Sequence, residues 1–74
     1  MKKQYDTVTK SNSIDILDEL VRDGWKITIY KSTIDDSIGM RAENWIKSAT
    51  YTVYNNSILY AIHALARQIQ DMKG

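Results

Sequence analysis

The chain has 74 residues, no cysteine, one histidine and a formal net charge of +1, so it is expected to form one small domain without disulfides or an ordinary zinc site. Residues 1–10 carry a net charge of +2 and the rest of the chain carries −1, which argues against both a basic nucleic-acid-binding domain and an acidic DNA mimic. No apolar run could span a membrane or serve as a secretory signal, and the lack of cysteine suits the reducing cytoplasm of a bacterial cell. A domain this short buries only about 60% of its unfolded surface, which leaves oligomerisation or unusually good packing to stabilise it, and we expect a homodimer or a larger assembly.

The chain is predicted to begin with a flexible N-terminal arm at residues 1–10, which are polar and follow no period. A single domain at residues 11–74 follows, and its first element is a helix, since Ser11, Asn12 and Ser13 are all good N-caps. The apolar side chains that recur there at helical spacing are Ile14, Leu17, Leu20 and Val21.

The next two segments are predicted to be strands. Gly24 suits the left-handed conformation just past a helix end, and residues 25–31 then alternate between apolar and polar side chains with period two. Residues 38–47 fit either a helix or a strand: intrinsic propensity favours the helix, whereas Gly39 near the start of the segment favours the strand. We interpret this segment as a strand because the first strand needs neighbours to be stable.

A third strand and a second helix complete the predicted order. Residues 49–54 alternate again, and Asn55, Asn56 and Ser57 supply a turn and an N-cap. The last helix is predicted from about Ser57 to Asp71. Its apolar seam consists of Ile58, Ala61, Ile62, Leu65, Ala66, Ile69 and Met72.

The predicted fold class is α+β, in the order helix, strand, strand, strand, helix, with two amphipathic helices packed on one face of a three-stranded antiparallel sheet. The covered face is expected to hold Trp25, Ile27, Ile29, Met40, Ala42, Ile46, Tyr51 and Val53. The opposite face is expected to hold Lys26, Thr28, Tyr30, Arg41, Glu43, Trp45, Thr50, Thr52 and Tyr54.

The pattern resembles a known group of small phage proteins. The first helix ends in "DGW" and is followed by three strands. The last helix is rich in Ala, Ile and Leu and follows an "AT" pair and a later asparagine. Over residues 11–72 this pattern is similar to phage ABA sandwich domains. The resemblance implies a phage or prophage origin and an accessory, non-catalytic role. It also suggests a layered sandwich, an arrangement in which the second sheet face can be covered. The same element order occurs in double-stranded-RNA-binding domains, but those hold lysines at the start of the final helix, where this chain has "NNSILYAIHA".

Two surfaces are candidates for binding a partner. Trp45, Tyr30 and Tyr54 would share the second sheet face with Arg41, and an uncovered face with large aromatic residues usually marks a contact site. The alternatives are that a helix covers this face or that Trp45 belongs to the core.

The second candidate surface is on the last helix, where Tyr60, His63 and Arg67 form a stripe away from the apolar seam. Tyrosine and arginine are enriched at interfaces, although a polar stripe opposite an apolar seam is also what any surface helix shows.

The sequence does not predict an enzyme, a metal site or a cofactor. His63 is the one histidine and has no nucleophile at a recognisable spacing, and the adjacent pair Asp35 and Asp36 offers too few oxygen ligands for Mg²⁺ or Ca²⁺. We therefore expect a protein-binding accessory factor, for example one that inhibits a host defence or replication protein. The alternative is a small nucleic-acid-binding regulator that uses Lys2, Lys3, Lys10, Lys26, Arg41 and Lys47.

Overall fold

The structure is a computed structural model that describes residues 8–73. Its elements in chain order are α1 (Lys10–Arg22), β1 (Lys26–Lys31), β2 (Ile38–Asn44), β3 (Ala49–Asn55) and α2 (Ile58–Lys73). The predicted α+β fold class and its element order are confirmed. The arm prediction for residues 1–7 and the Met72 side chain of the predicted seam lie outside what the structure describes.

Helix α1 starts earlier than predicted. Its N-cap is Thr9, whose side-chain oxygen accepts a hydrogen bond of 3.1 Å from the backbone N–H of Asn12. Lys10 is therefore the first helical residue and not the end of an arm, and Ser11 to Ser13 lie inside the helix instead of capping it. Threonine caps a helix nearly as well as serine, so the spacing of possible caps alone could not select the true one.

The end of α1 is as predicted, with a left-handed glycine just past the helix. Gly24 has a φ of +97°, and its N–H donates to the carbonyl of Val21 at 3.1 Å. The N–H of Trp25 donates to the carbonyl of Leu20 at 3.0 Å. These two bonds make a Schellman motif, which turns the chain sharply from α1 into β1.

The buried side of α1 differs from the predicted seam. Ser13 and Ile16 are buried, with Leu17 and Leu20 packed beside them, whereas Ile14 and Val21, at the two ends of the predicted seam, are exposed. Helix α1 is therefore rotated from the predicted orientation, and the polar side chain of Ser13 points inward, where it meets His63 of α2.

The sheet has the order β1-β2-β3, with both pairs antiparallel. Strand β2 ends at Asn44, not at residue 47, so Trp45 and Ile46 lie in a four-residue turn and on neither face of the sheet. The turn closes with the N–H of Lys47 donating to the side-chain oxygen of Asn44 at 3.0 Å, and Ser48 leaves it with a φ of +52°. In the sequence, Trp45 and Ile46 continue the alternation of β2. The predicted end of the strand was therefore placed too late.

Both helices lie on the same side of the sheet. Helix α2 packs against β2 and β3, and α1 packs mainly against α2. The core between them consists of Ile16, Trp25, Met40, Ala42, Val53, Ala61, Ile62, Leu65 and Ile69. The other side, called the open face below, has the alternate residues of the three strands, most of them at least partly exposed to solvent.

Candidate functional site

The open face is built from three rows of residues that lie directly opposite one another across the strands. The rows are Tyr30–Gly39–Tyr54, Thr28–Arg41–Thr52 and Lys26–Glu43–Thr50. All the residues predicted for this face are there except Trp45. No described part of either helix covers the face, so of the two alternatives left open by the sequence, cover by a helix does not apply within residues 8–73.

A pair of tyrosines lies at one end of the open face. The hydroxyl oxygens of Tyr30 and Tyr54 are 2.8 Å apart, and their rings meet edge to face, with centroids 6.1 Å apart and planes at 87°. The ring of Tyr30 lies over Gly39, since a Cβ added there would come within 2.4 Å of the Tyr30 Cζ atom. The glycine of the middle strand therefore makes room for tyrosines from the two outer strands to meet.

The pKa of the Tyr54 hydroxyl is raised above its usual value. The main cause is the hydrogen bond with Tyr30, followed by charge repulsion from Tyr30 and partial loss of hydration, while the positive charge of Arg41 acts in the opposite direction. A hydrogen bond that favours the neutral phenol has this effect. At neutral pH Tyr54 is thus a neutral group that presents its ring to solvent.

The turn at the other end of the sheet exposes two large apolar side chains side by side. Trp45 is 85% exposed and Ile46 is 92% exposed. A shallow depression of about 260 Å³ connects Trp45 to Glu43 and Thr50, the last row of the open face. The five-residue step from Gly39 to Asn44, the last residue of β2, corresponds to about 17 Å. The aromatic residues therefore lie at opposite ends of the sheet and do not form the single patch that the sequence suggested.

The turn is attached firmly to the end of α1. Asn44 is only 2% exposed, and its amide nitrogen donates to the backbone carbonyl of Asp23 at 3.3 Å. Lys47 forms an ion pair of 2.9 Å with the Asp23 carboxylate and lies 5.8 Å from the centre of the Trp25 ring. Trp45 is therefore displayed on a turn of fixed geometry, although its own side chain makes little contact with the protein.

The predicted stripe on α2 does not form one solvent-facing surface. Tyr60 and Arg67 are exposed, but His63 is half-buried and its Nε2 lies 3.2 Å from the side-chain oxygen of Ser13 on α1. The prediction that His63 faces solvent is wrong because α1 packs against that side of α2. His63 joins the two helices and leaves the other two side chains as separate surface groups.

Ser13 and His63 have the chemistry of a nucleophile and a base, which sequence spacing did not reveal because 50 residues separate them. Ser13 is fully buried, however, and a nucleophile must be reached by its substrate. Within residues 8–71, no three His, Cys, Asp or Glu side chains are grouped so that they could hold a metal ion. The pair is therefore best understood as a polar link between the helices.

The loop between β1 and β2 contains Asp35 and Asp36. The carboxylate of Asp35 accepts hydrogen bonds from the hydroxyl and the backbone N–H of Ser37, and these bonds lower the pKa of Asp35 below its usual value. Asp36 lies 3.8 Å from the ammonium group of Lys31. These contacts are local and exposed, and they do not bring the two carboxylates together on a common ligand.

The basic residues of the nucleic-acid alternative are dispersed over the described surface. Lys26 lies opposite Glu43, and Arg41 lies in the central row of the open face. Lys47 is paired with Asp23, and Lys10 begins α1, whereas Lys2 and Lys3 lie outside the described residues. Phosphate binding needs a continuous cationic surface, which the described residues do not assemble.

A groove that the sequence did not indicate lies where β1, β2 and the start of α2 meet. Its volume is about 490 Å³, and it is lined by Ile29, Tyr30, Lys31, Asp36, Ile38 and Ile58. Ile29 was predicted to be covered by a helix but is about half exposed (47%), because α2 packs against β2 and β3. Sequence alternation assigns a residue to a face but does not show how far a helix extends across it.

Comparison with known proteins gives no relative. The chain matches no protein-family model, no curated protein and no solved structure. The resemblance to phage ABA sandwich domains therefore stays a prediction. Among the described helices, none combines the length and the apolar character that crossing a bilayer requires.

Proposed function

We propose that the chain is a non-catalytic protein-binding domain that contacts its partner through the open face and the turn that holds Trp45 and Ile46. The observation that carries this proposal is the exposure of these two neighbouring side chains, at 85% and 92%. The core forms without them. Tryptophan is among the residues most enriched at interface hot spots, and contiguous exposed apolar patches mark interaction sites more often than single exposed residues do.

The open face supplies the polar part of such an interface. Arg41 stands at its centre between Thr28 and Thr52, so a planar guanidinium group is available for bidentate hydrogen bonds. Together Lys26, Arg41 and Glu43 give the face a net charge of only +1. A near-neutral face with hydroxyl groups and an aromatic anchor at its rim is typical of a protein interface, and it lacks the excess charge needed to bind phosphates.

The proposed biological role is that of an accessory factor that occupies another protein's surface. The resemblance to small phage proteins supports an accessory role in the cytoplasm of a bacterial cell, and inhibition of a host defence or replication protein is one concrete form of that role. The lack of cysteine supports that location, since cytosolic proteins rarely depend on disulfides.

The test is an affinity capture from lysate with the tagged chain, in nuclease-treated and untreated halves. The Trp45→Ala variant is compared with Ile34→Ala, which removes an equally exposed apolar side chain (94%) from the β1–β2 loop. We expect a defined protein partner to survive nuclease treatment and bind the Trp45→Ala variant at least about 30-fold more weakly, the equivalent of a 2 kcal/mol hot spot. The Ile34→Ala variant should bind normally.

Two results would contradict the proposal. One is equal binding of the partner by the Trp45→Ala variant and the unaltered chain. The other is recovery of nucleic acid, with proteins lost after nuclease and with an affinity that falls steeply as salt rises, because phosphate contacts release counterions. The second result would favour the nucleic-acid-binding regulator.

A further inference from the structure

The two edges of the sheet differ in a way that bears on assembly. Strands β1 and β3 are both edge strands, and no described residue pairs with their outer sides. Strand β1 has Lys26 and Lys31 at its two ends, and edge lysines are a common protection against unwanted strand pairing. Strand β3 reads ATYTVYN, with no charged residue, proline or glycine, so it has none of these protections.

We propose that a second copy of this chain pairs antiparallel with β3, so that two three-stranded sheets join into one six-stranded sheet. The seven residues of β3 have a central member, Thr52, and a two-fold axis through it lets the whole strand pair. The direct pairs are then Thr52 with the partner's Thr52, Tyr51 with the partner's Val53, and Thr50 with the partner's Tyr54. Thr–Thr and aromatic–β-branched pairs are among the cross-strand pairs that stabilise a sheet.

The same symmetric arrangement is unfavourable at β1. Direct partners in an antiparallel sheet lie on the same face, so a two-fold pair needs a central residue, and the six residues of β1 do not have one. The two registers nearest to full overlap place Lys26 opposite the partner's Tyr30 or Ile27 opposite the partner's Lys31. Either register leaves residues unpaired and keeps lysines at the junction, which makes β3 the edge that is suited to self-pairing.

Stability also favours a second copy as the occupant of this edge. A 74-residue chain without cysteine has a small core and no disulfide to support it, and small domains of this kind commonly gain stability by oligomerisation. The pairing uses the outer backbone groups of β3 and leaves the open face and the Trp45 turn uncovered. It is therefore independent of the proposed partner binding.

The test is the mass of the full chain in solution, measured by light scattering during gel filtration. Thr52→Lys is compared with Thr28→Lys, because both threonines lie beside Arg41 in one row, on opposite edges of the sheet. We expect the unaltered chain and Thr28→Lys to have twice the chain mass of 8.5 kDa. Thr52→Lys should have the single-chain mass, since two like charges then meet at the two-fold axis.

A mixing experiment separates loss of pairing from loss of folding. Thr52→Glu alone should also be a monomer, and an equimolar mixture with Thr52→Lys should return to the dimer mass, because opposite charges then face each other. A monomeric unaltered chain, dissociation by Thr28→Lys instead of Thr52→Lys, or no dimer on mixing would each overturn the proposal. Each of these outcomes leaves the result of the affinity capture unaffected.

Discussion

The hydroxyl oxygens of Tyr30 and Tyr54 lie 2.8 Å apart, on strands that are separated by the whole width of β2. This contact depends on Gly39, which lies between the two tyrosines in the same cross-strand row. The ring of Tyr30 occupies the space that any side chain at position 39 would need. The glycine and the tyrosine pair are therefore one structural unit at the end of the open face.

Replacing Gly39 by alanine should destabilise the protein by about 1 kcal/mol, the low end of the usual cost of inserting a methyl group into an occupied space, because the ring of Tyr30 is only partly buried. The added Cβ would lie 2.4 Å from Cζ of Tyr30, so the ring must move and lose its hydrogen bond with Tyr54. Urea denaturation measures the change in the free energy of unfolding. In a Tyr30→Ala background the same substitution should cost less than about 0.5 kcal/mol, since coupled residues are non-additive. An equal cost in both backgrounds would show that the ring does not cause the strain.

Replacing Tyr30 by phenylalanine should lower the pKa of Tyr54 towards its usual value of 10.0, because the hydrogen bond with Tyr30 is the main cause of the raised pKa. When a group has a higher pKa in the folded protein than in the unfolded chain, it contributes to stability. The contribution is complete below the pKa of the group in the unfolded chain, and it is lost as pH rises through the pKa of the group in the folded protein. The unaltered protein should thus lose stability above about pH 10, and Tyr30→Phe should lose less. Ultraviolet absorbance of tyrosinate, followed as pH rises, measures the pKa. The control is Tyr60→Phe, which removes another exposed tyrosine and should leave the raised pKa of Tyr54 unchanged.

Much of the fold could be predicted from sequence because local chemistry and hydrophobic period agree there. Gly24 marks the end of α1, the alternation in β1 and β3 identifies their two faces, and the spacing of Leu65 and Ile69 identifies the buried side of α2. The errors occur where a tertiary contact overrides the local pattern. Ser13 is a polar residue that points into the core because His63 is there.

The candidate site was predicted in part, but the sequence did not show that Trp45 lies in a turn after β2. Tyr30, Tyr54 and Arg41 lie on the open face as expected, but the position of Trp45 depends on where β2 ends. That boundary is set by the side chain of Asn44, which closes the turn and reaches the end of α1. Contacts between residues 21 positions apart cannot be read from a local alternation.

Replacing Asn44 by alanine should cost about 1–3 kcal/mol, because the buried Asn44 side chain is the hydrogen-bond partner of both the Asp23 carbonyl and the Lys47 N–H. Replacing Lys47 by alanine should cost less than about 1 kcal/mol, since its ion pair with Asp23 is partly exposed and screened by solvent. Thermal or urea unfolding of the two variants measures the difference. A larger effect from Lys47 than from Asn44 would mean that the ion pair, and not the amide, holds the turn.

Replacing Ser48 by glycine should stabilise the protein by about 0.5–1 kcal/mol. Ser48 has a φ of +52°, a left-handed conformation that costs a residue with a Cβ atom roughly 1–2 kcal/mol. Glycine avoids this cost, but its greater freedom in the unfolded chain offsets part of the stabilisation. Ser48→Ala, which keeps the Cβ atom, should not stabilise. The midpoint of urea unfolding should rise for the glycine variant alone. A rise of the same size with alanine would show that the backbone conformation is not the cause.

Replacing Trp45 by alanine should change the free energy of unfolding by less than about 0.5 kcal/mol, as for other surface substitutions without special contacts. The reason is that 85% of its surface is already in water, so truncation creates no cavity. Leu65→Ala is the contrasting variant, because Leu65 is fully buried and core truncations of this size cost about 2–5 kcal/mol. A cost above about 1 kcal/mol for Trp45→Ala would mean that the side chain serves the fold. The tryptophan could then no longer be assigned to a partner, and the binding proposal would lose the observation that carries it.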